Sequence, residues 1–146
     1  MAGEKHIYKT QLTWEAEKRG KLSSAGLPDL SVATPPEFSG GHPGIWSPEH
    51  LFVAAAEACL MTTFLAIAEN SKLEFLRYSS EAAGSVERTD QGFMVTEITI
   101  RPKVVVKDPL AIDRARRIID KAEQHCLISN SMKARVTLEP EVAVES

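Results

Sequence analysis

Ser47-Pro48-Glu49-His50-Leu51-Phe52-Val53-Ala54-Ala55-Ala56-Glu57-Ala58-Cys59-Leu60-Met61-Thr62-Thr63-Phe64-Leu65-Ala66-Ile67-Ala68 decides the fold of the chain. Its opening is that of a helix. The Ser47 hydroxyl can accept a free backbone N–H as the N-cap, and Pro48 fits the first helical position, where its missing N–H has no partner to lose. Glu49 then stands in the first turn, where a negative charge is favoured. The eighteen residues after His50 contain one charge, Glu57, and one thiol, Cys59. A helix apolar on every side belongs at the centre of a fold. The run approaches membrane-spanning length, but Glu57, two threonines, a high alanine content and polar flanks favour a buried helix packed closely against its neighbours.

Working outward, His6 to Glu15 reads as a strand, with Tyr8, Leu12 and Trp14 alternating against Lys9, Gln11 and Thr13. Lys18-Arg19-Gly20-Lys21 reads as a turn and Leu22 to Ser24 as the start of a return strand; Leu30 to Thr34 is a further short strand. Residues 35–44 hold three prolines and three glycines, a composition incompatible with helix or regular sheet and suited to one wall of a pocket. Beyond the helix, Asn70-Ser71-Lys72 breaks the pattern. Glu74 to Thr89 and Phe93 to Lys107 read as two long antiparallel strands joined at Asp90-Gln91-Gly92. In the second, Ile98, Ile100, Val104 and Val106 face one way and Glu97, Thr99, Arg101 and Lys103 the other. Pro102 predicts an edge or a bulge.

Asp108-Pro109 repeats the cap-then-proline start. Ala111, Ala115, Ile118, Ile119 and Ala122 form its helix's apolar stripe, and one more turn lands on Cys126. Ala134, Val136 and Leu138 alternate in a final strand. The expected architecture is α+β, one domain over residues 1–146, with an antiparallel sheet against two central helices.

Composition narrows the function. With 43% hydrophobic and 25% charged residues the chain is globular, and a net charge of −3 supplies no attraction to nucleic acid or an anionic membrane. The first residues lack the apolar core of a signal peptide, which predicts a cytoplasmic protein. Two cysteines without a CxxC pattern argue for thiol chemistry over a zinc site or a permanent staple, and no cofactor is expected. Two inward thiols 67 positions apart permit a peroxidase cycle: one thiolate becomes a sulfenic acid and the other condenses with it. The attacking thiol must be ionised, which a nearby cation such as an arginine, held by a carboxylate, would favour.

The pattern Ser-Pro-Glu-x-Leu-Phe-x-Ala-Ala-x-x-x-Cys, the later Ala-Glu-x-His-Cys-x-Ile-Ser-Asn-Ser and the Pro-Pro-Glu-Phe-x-Gly-Gly loop resemble the OsmC/Ohr family of organic hydroperoxide reductases. The resemblance implies an OsmC-like fold in an intertwined homodimer with shared active sites. It implies Cys59 as peroxidatic and Cys126 as resolving thiol, Glu49 as the family's carboxylate and Arg19 as its arginine. The implied partners are an organic hydroperoxide and a dithiol reductant such as a dihydrolipoyl protein, in an antioxidant stress response. Ohr-type members carry Cys-Pro-Tyr-Ser at the second cysteine; Cys126-Leu127-Ile128-Ser129 is closer to the broader OsmC-like branch. Two alternatives stand beside the enzyme: a binding protein holding a small apolar ligand in an interface pocket of Phe38, Trp46, Phe52 and Met61, or a structural dimer with inert thiols.

Glu49 and Cys59 stand ten residues apart on one helix, roughly 15 Å along its axis. If both serve one reaction, Glu49 reaches the thiol of a second subunit. Glu57, two positions from Cys59, points elsewhere and is expected to serve packing or a salt bridge. His125 and His50, each at a helix end, are expected there for local structure.

Overall fold

A computed structural model describes residues 3–145. The chain divides into two compact units, one ending at Leu51 and the other beginning at Phe52.

In the first unit, β1 (Gln11–Ala16), β2 (Arg19–Ser23) and β3 (Leu30–Ala33) form an antiparallel three-stranded sheet in that order. The first strand begins at Gln11, later than the alternation suggested. The turn between β1 and β2 is Glu17-Lys18, with Glu17 at φ 52°. Arg19 therefore heads the return strand, opposite Ala16 and Ala33, where the sequence placed it in a turn. The sharp turn needs only two residues, one of them in the left-handed region. The proline- and glycine-rich loop follows β3 without regular structure. Gly41 is obligatory there, because a Cβ would lie 1.9 Å from the Pro35 carbonyl oxygen.

The long helix α1 runs from Pro48 to Asn70. Its cap is reciprocal. Ser47 Oγ accepts the His50 backbone N–H at 3.1 Å, and the Ser47 N–H reaches His50 Nδ1 at 3.2 Å. His50 thus fills the role that Glu or Gln plays in a capping box, and a cap of this kind contributes about 1 kcal/mol.

The second unit carries the core. β4 (Arg77–Thr89) and β5 (Gly92–Val106) form the long antiparallel hairpin, turning at Asp90-Gln91. A 3-10 turn at Pro109–Ala111, with Asp108 Oδ1 accepting the Leu110 N–H at 2.9 Å, leads into α2 (Ile112–Gln124). A one-turn helix α3 (Leu127–Asn130) follows, then β6 (Arg135–Leu138) and β7 (Glu141–Val144). β6 and β7 lie end to end along β5 and run parallel to it. β7 carries no signal in the sequence strong enough to be read beyond β6.

Pro102 stands at neither an edge nor a bulge. It lies in the middle strand β5, opposite Ser80, and is buried. The Ile100 and Val106 carbonyls accept N–H groups from Glu139 and Glu145, so even-numbered residues of β5 turn their polar groups toward β6 and β7. The Pro102 nitrogen therefore faces the gap between the end of β6 at Leu138 and the start of β7 at Glu141, where no N–H is needed. The register shift falls elsewhere, between Ser85 and Val86.

One stripe of α1 (Ala56, Leu60, Phe64, Ala68), one of α2 (Ala115, Ile118, Ile119, Ala122) and the inward face of β5 (Ile98, Ile100, Val104, Val106) make one buried cluster. Phe64 packs on Phe75 and Tyr78 with ring centroids 5.3 and 5.2 Å apart. Gly84 lets α1 approach β4, since a Cβ there would lie 2.5 Å from Val53 Cγ2. Away from its buried stripe α1 remains apolar and open: Phe52, Met61 and Leu65 are each more than a third exposed.

Candidate functional site

The two thiols meet because a helix stops. The α2 stripe shares the core with α1, but α2 ends at Gln124 and His125 caps it, its N–H turned back to the Lys121 and Ala122 carbonyls. Cys126 then takes an extended conformation (φ −71°, ψ 108°) as the N-cap residue of α3. Cys126 is thus placed in the break between two helices, where the sequence pattern had it as one more turn of α2. Its side chain is fully buried, and both cysteines are free thiols.

The break leaves the first N–H groups of α3 without helical partners. Burial by itself pushes the Cys59 thiol up. The Ile128 N–H, the Cys126 thiol, the Thr63 hydroxyl and the Leu127 N–H, in that order, more than offset it, so Cys59 lies below the ordinary thiol value. The Thr63 contact is one helical turn along, with Oγ1 3.9 Å from Sγ. These donors are all neutral. Cys126 moves the other way. Its burial raises it, the Ser129 hydroxyl and N–H beside it lower it in part, and the neighbouring Cys59 raises it again. Two adjacent thiols are thus driven apart, one toward thiolate and one toward thiol.

Around the pair stand further buried groups. The Tyr78 hydroxyl has no hydrogen-bond partner among the described residues. Burial first, then the charges of Glu57 and Cys126, pushes it up to about 12. Glu57 accepts the Ser80 hydroxyl at 2.5 Å, so of the expected packing or salt-bridge role it takes a packing one, tying α1 to β4 by a hydrogen bond. Glu123 is raised by burial, an effect that Ser129 partly relieves. The Ser129 Oγ and Glu123 Oε1 are buried without meeting strict hydrogen-bond geometry; Ser129 bears on its neighbours through proximity.

The structure brings Cys59 and Cys126 together. Arg19 and Glu49 belong to the first unit and form no ion pair with each other. Arg19 is exposed at the head of β2, and Glu49 Oε1 is buried with no partner among the described residues. Of the four apolar residues expected to form one pocket, Trp46 lines a cavity of about 280 Å³ with Gly44, Ile45 and His50. Phe52 lines a different one, of about 370 Å³, with Met94, Val95 and Met132 among its walls. Met61 is on the open face of α1, and Phe38 sits in the loop after β3. His125 is exposed. Among the described residues no group of three His, Cys, Asp or Glu side chains could hold a metal ion.

Sequence reasoning missed Thr63, Leu127, Ile128, Ser129 and Glu123. Thr63 was readable, being four residues after Cys59 on a helix. Glu123 and Ser129 flank Cys126 at three residues on either side, a spacing with meaning only once the helix break is known. The two amides carry no side-chain signature.

An α+β fold with a dithiol of split acidity, built where a long apolar helix meets a helix break, defines a class of thiol-based proteins. The chain belongs to the OsmC-like protein family, whose model matches residues 41–141. It is 30% identical over 145 residues to the uncharacterized protein YmaD of Bacillus subtilis, covering 96% of this chain and 95% of that one. It is 29% identical over 137 residues to the peroxiredoxin OsmC of Escherichia coli, covering 90% and 93%. In three dimensions it matches an OsmC-like protein of unknown function from Vibrio cholerae with a TM-score of 0.83 at 22% identity, covering 93% of this chain and 99% of that one. That match concerns the fold.

The opposite shifts make a prediction about pH. As pH rises from 5, alkylation of Cys59 by iodoacetamide, followed site by site by mass spectrometry, should climb through a midpoint below the ordinary thiol value near 8.5. The Cys126 midpoint should lie above that value. Coincident midpoints, or the reverse order, would contradict this split in acidity.

Proposed function

We propose that the protein is a thiol-dependent peroxidase that reduces organic hydroperoxides through a Cys59–Cys126 disulfide. The observation that carries this reading is the adjacency of the two thiols with opposite shifts in acidity. The Cys59 thiolate attacks the terminal oxygen of the O–O bond, the alkoxide leaves and takes a proton as the alcohol, and Cys59 becomes a sulfenic acid. Cys126 then attacks that sulfur, water departs, and a disulfide forms. A dithiol such as a dihydrolipoyl protein restores both thiols by exchange. The likeness to a peroxiredoxin over nine-tenths of the chain supports the chemistry. A substrate with an organic tail is favoured by the apolar, partly open surface of α1 around Phe52 and Met61. The setting we infer is the cytoplasm, under oxidative stress.

The working enzyme in this reading is a homodimer. Its support is the apolar open stripe of α1 (Ala58, Met61, Thr62, Leu65), a surface that a second copy of the chain would cover. The small residues along the helix permit close approach. Glu49, ten residues from Cys59 on a continuous helix and with an unpartnered carboxylate oxygen, would serve the Cys59 of the partner subunit together with Arg19 as the cation.

Two experiments test the reading. One equivalent of cumene hydroperoxide should convert the protein to an intramolecular Cys59–Cys126 disulfide, seen by peptide mapping. Cys59→Ser should abolish turnover, and Cys126→Ser should stop at a sulfenic acid that overoxidises. Peroxide consumed with both thiols still free would defeat the two-cysteine cycle. For sharing of sites, Glu49→Ala subunits mixed with Cys59→Ser subunits should regain activity, since each mixed dimer holds one intact site. No recovery after verified subunit exchange would show that the sites are not shared.

A further inference from the structure

Resolution of a sulfenic acid makes a demand that the first step does not. The resolving sulfur must lose its proton, yet Cys126 is fully buried and its thiol is the member of the pair pushed up. A base has to stand near it inside the protein. Among the described residues, Tyr78 on β4, Glu57 on α1 and Glu123 on α2 are titratable side chains near the dithiol that are not fully exposed, whereas His125, next to Cys126, is open to solvent.

Tyr78 is excluded by its acidity. Pushed up to about 12, it keeps its proton and cannot be the base that retains the one Cys126 loses. Glu57 is committed to the Ser80 hydroxyl at 2.5 Å. Glu123 is different on each count. It lies in the last turn of α2, three residues before Cys126, and the Cys126 N–H donates to its backbone carbonyl at 3.2 Å. Among the described residues its Oε1 is buried with no partner, and so is the hydroxyl oxygen of Ser129. Ser129 stands three residues after Cys126 on α3, beside both the thiol and the Glu123 carboxyl. A hydroxyl can give one proton while taking another. In this place it bears on both the buried Cys126 thiol and the Glu123 carboxyl, whose Oε1 has no partner among the described residues.

We propose that Glu123, acting through the Ser129 hydroxyl, accepts the Cys126 proton during resolution of the Cys59 sulfenic acid. This rests on the two-cysteine cycle proposed above and goes beyond it by naming how the second step is driven. As the Cys126 sulfur attacks, its proton moves to Ser129 Oγ, whose own proton moves to the Glu123 carboxylate. The S–S bond forms as the S–O bond of the sulfenic acid breaks. The departing hydroxide takes a proton back from Glu123 by the same hydroxyl and leaves as water, so the relay is reset. The Cys126 sulfur is oxidised and the Cys59 sulfur reduced, and no further reactant is needed. Burial raises the Glu123 carboxyl from its ordinary value, a shift in the direction that favours proton transfer from a thiol. Glu123 is a relay residue that acts through Ser129, the hydroxyl beside the reacting thiol.

The test separates the two chemical steps. Reduced protein is mixed with one equivalent of cumene hydroperoxide and quenched over time. Dimedone trapping reports the sulfenic acid and intact mass reports the disulfide. Glu123→Gln, which keeps shape and removes the base, should leave sulfenic acid formation at the wild-type rate and slow disulfide formation on the order of 100-fold. Ser129→Ala should do the same, and Glu123→Asp should restore part of the rate. In the wild type, resolution should rise with pH through the Glu123 ionisation and level off. Glu123→Gln should lose that limb and recover only at high pH, where Cys126 ionises unaided. The ionisable groups bearing on Cys126 besides this relay are Cys59 and Tyr78, with Glu57 beyond Tyr78, and the substitution changes none of them.

A Glu123→Gln protein that resolves at the wild-type rate with the wild-type pH profile overturns the relay. So does one in which both steps fall together, because that is a structural defect. Wild-type protein that traps sulfenic acid but never forms the disulfide would overturn the two-cysteine cycle itself, and the relay with it, before any variant is compared.

Discussion

When a helix breaks at a single buried residue, the first N–H groups of the next turn have no carbonyl to bond. Something must face them, or their burial costs free energy. Here the break is at Cys126, and the Leu127 and Ile128 N–H groups bear on the sulfur of Cys59. Nearly everything distinctive about the site follows from that pairing. The amides prefer an anion, the sulfur can become one, and the Cys126 thiol adds a third donor from the same turn. The lowering of one thiol is matched by the raising of the other.

The pairing depends on parts of the core that have no chemistry. α1 must lie close to the sheet, which Gly84 allows by having no Cβ to meet Val53. α2 must present Ala115 and Ala122 inward, small residues that let it share one cluster with α1. β5 must be uninterrupted across Pro102, which the gap between β6 and β7 permits.

Much of this was legible from the order of residues. The limits of α1 came from its cap and the Asn70-Ser71-Lys72 break, the hairpin from alternation in Ile98, Ile100, Val104 and Val106, and the α2 stripe from its spacing. The adjacency of the cysteines was implied by matching apolar faces. Other features had no local signal. The parallel pairing of β6 and β7 with β5 is settled by the crossover through α2, a tertiary matter. Arg19 was misplaced by the length of a two-residue turn. The amide donors were invisible because a backbone N–H has no letter. An arginine was expected as the source of thiolate stabilisation, whereas the donors found in the unit that holds both thiols are uncharged.

The Ohr-type Cys-Pro-Tyr-Ser segment would place a proline where this chain has Leu127, and a proline has no N–H to offer. That difference allows a direct measurement. Cys126 already has the extended conformation that a following proline requires (φ −71°, ψ 108°), and Leu127 is the first residue of α3, a position proline tolerates. Leu127→Pro should therefore fold while deleting one donor to Cys59. The quantity to measure is the Cys59 acidity, from thiolate absorbance at 240 nm in a Cys126→Ser background, with and without the proline. The amide account predicts a higher Cys59 pKa with proline present; an unchanged value in a folded protein would contradict it.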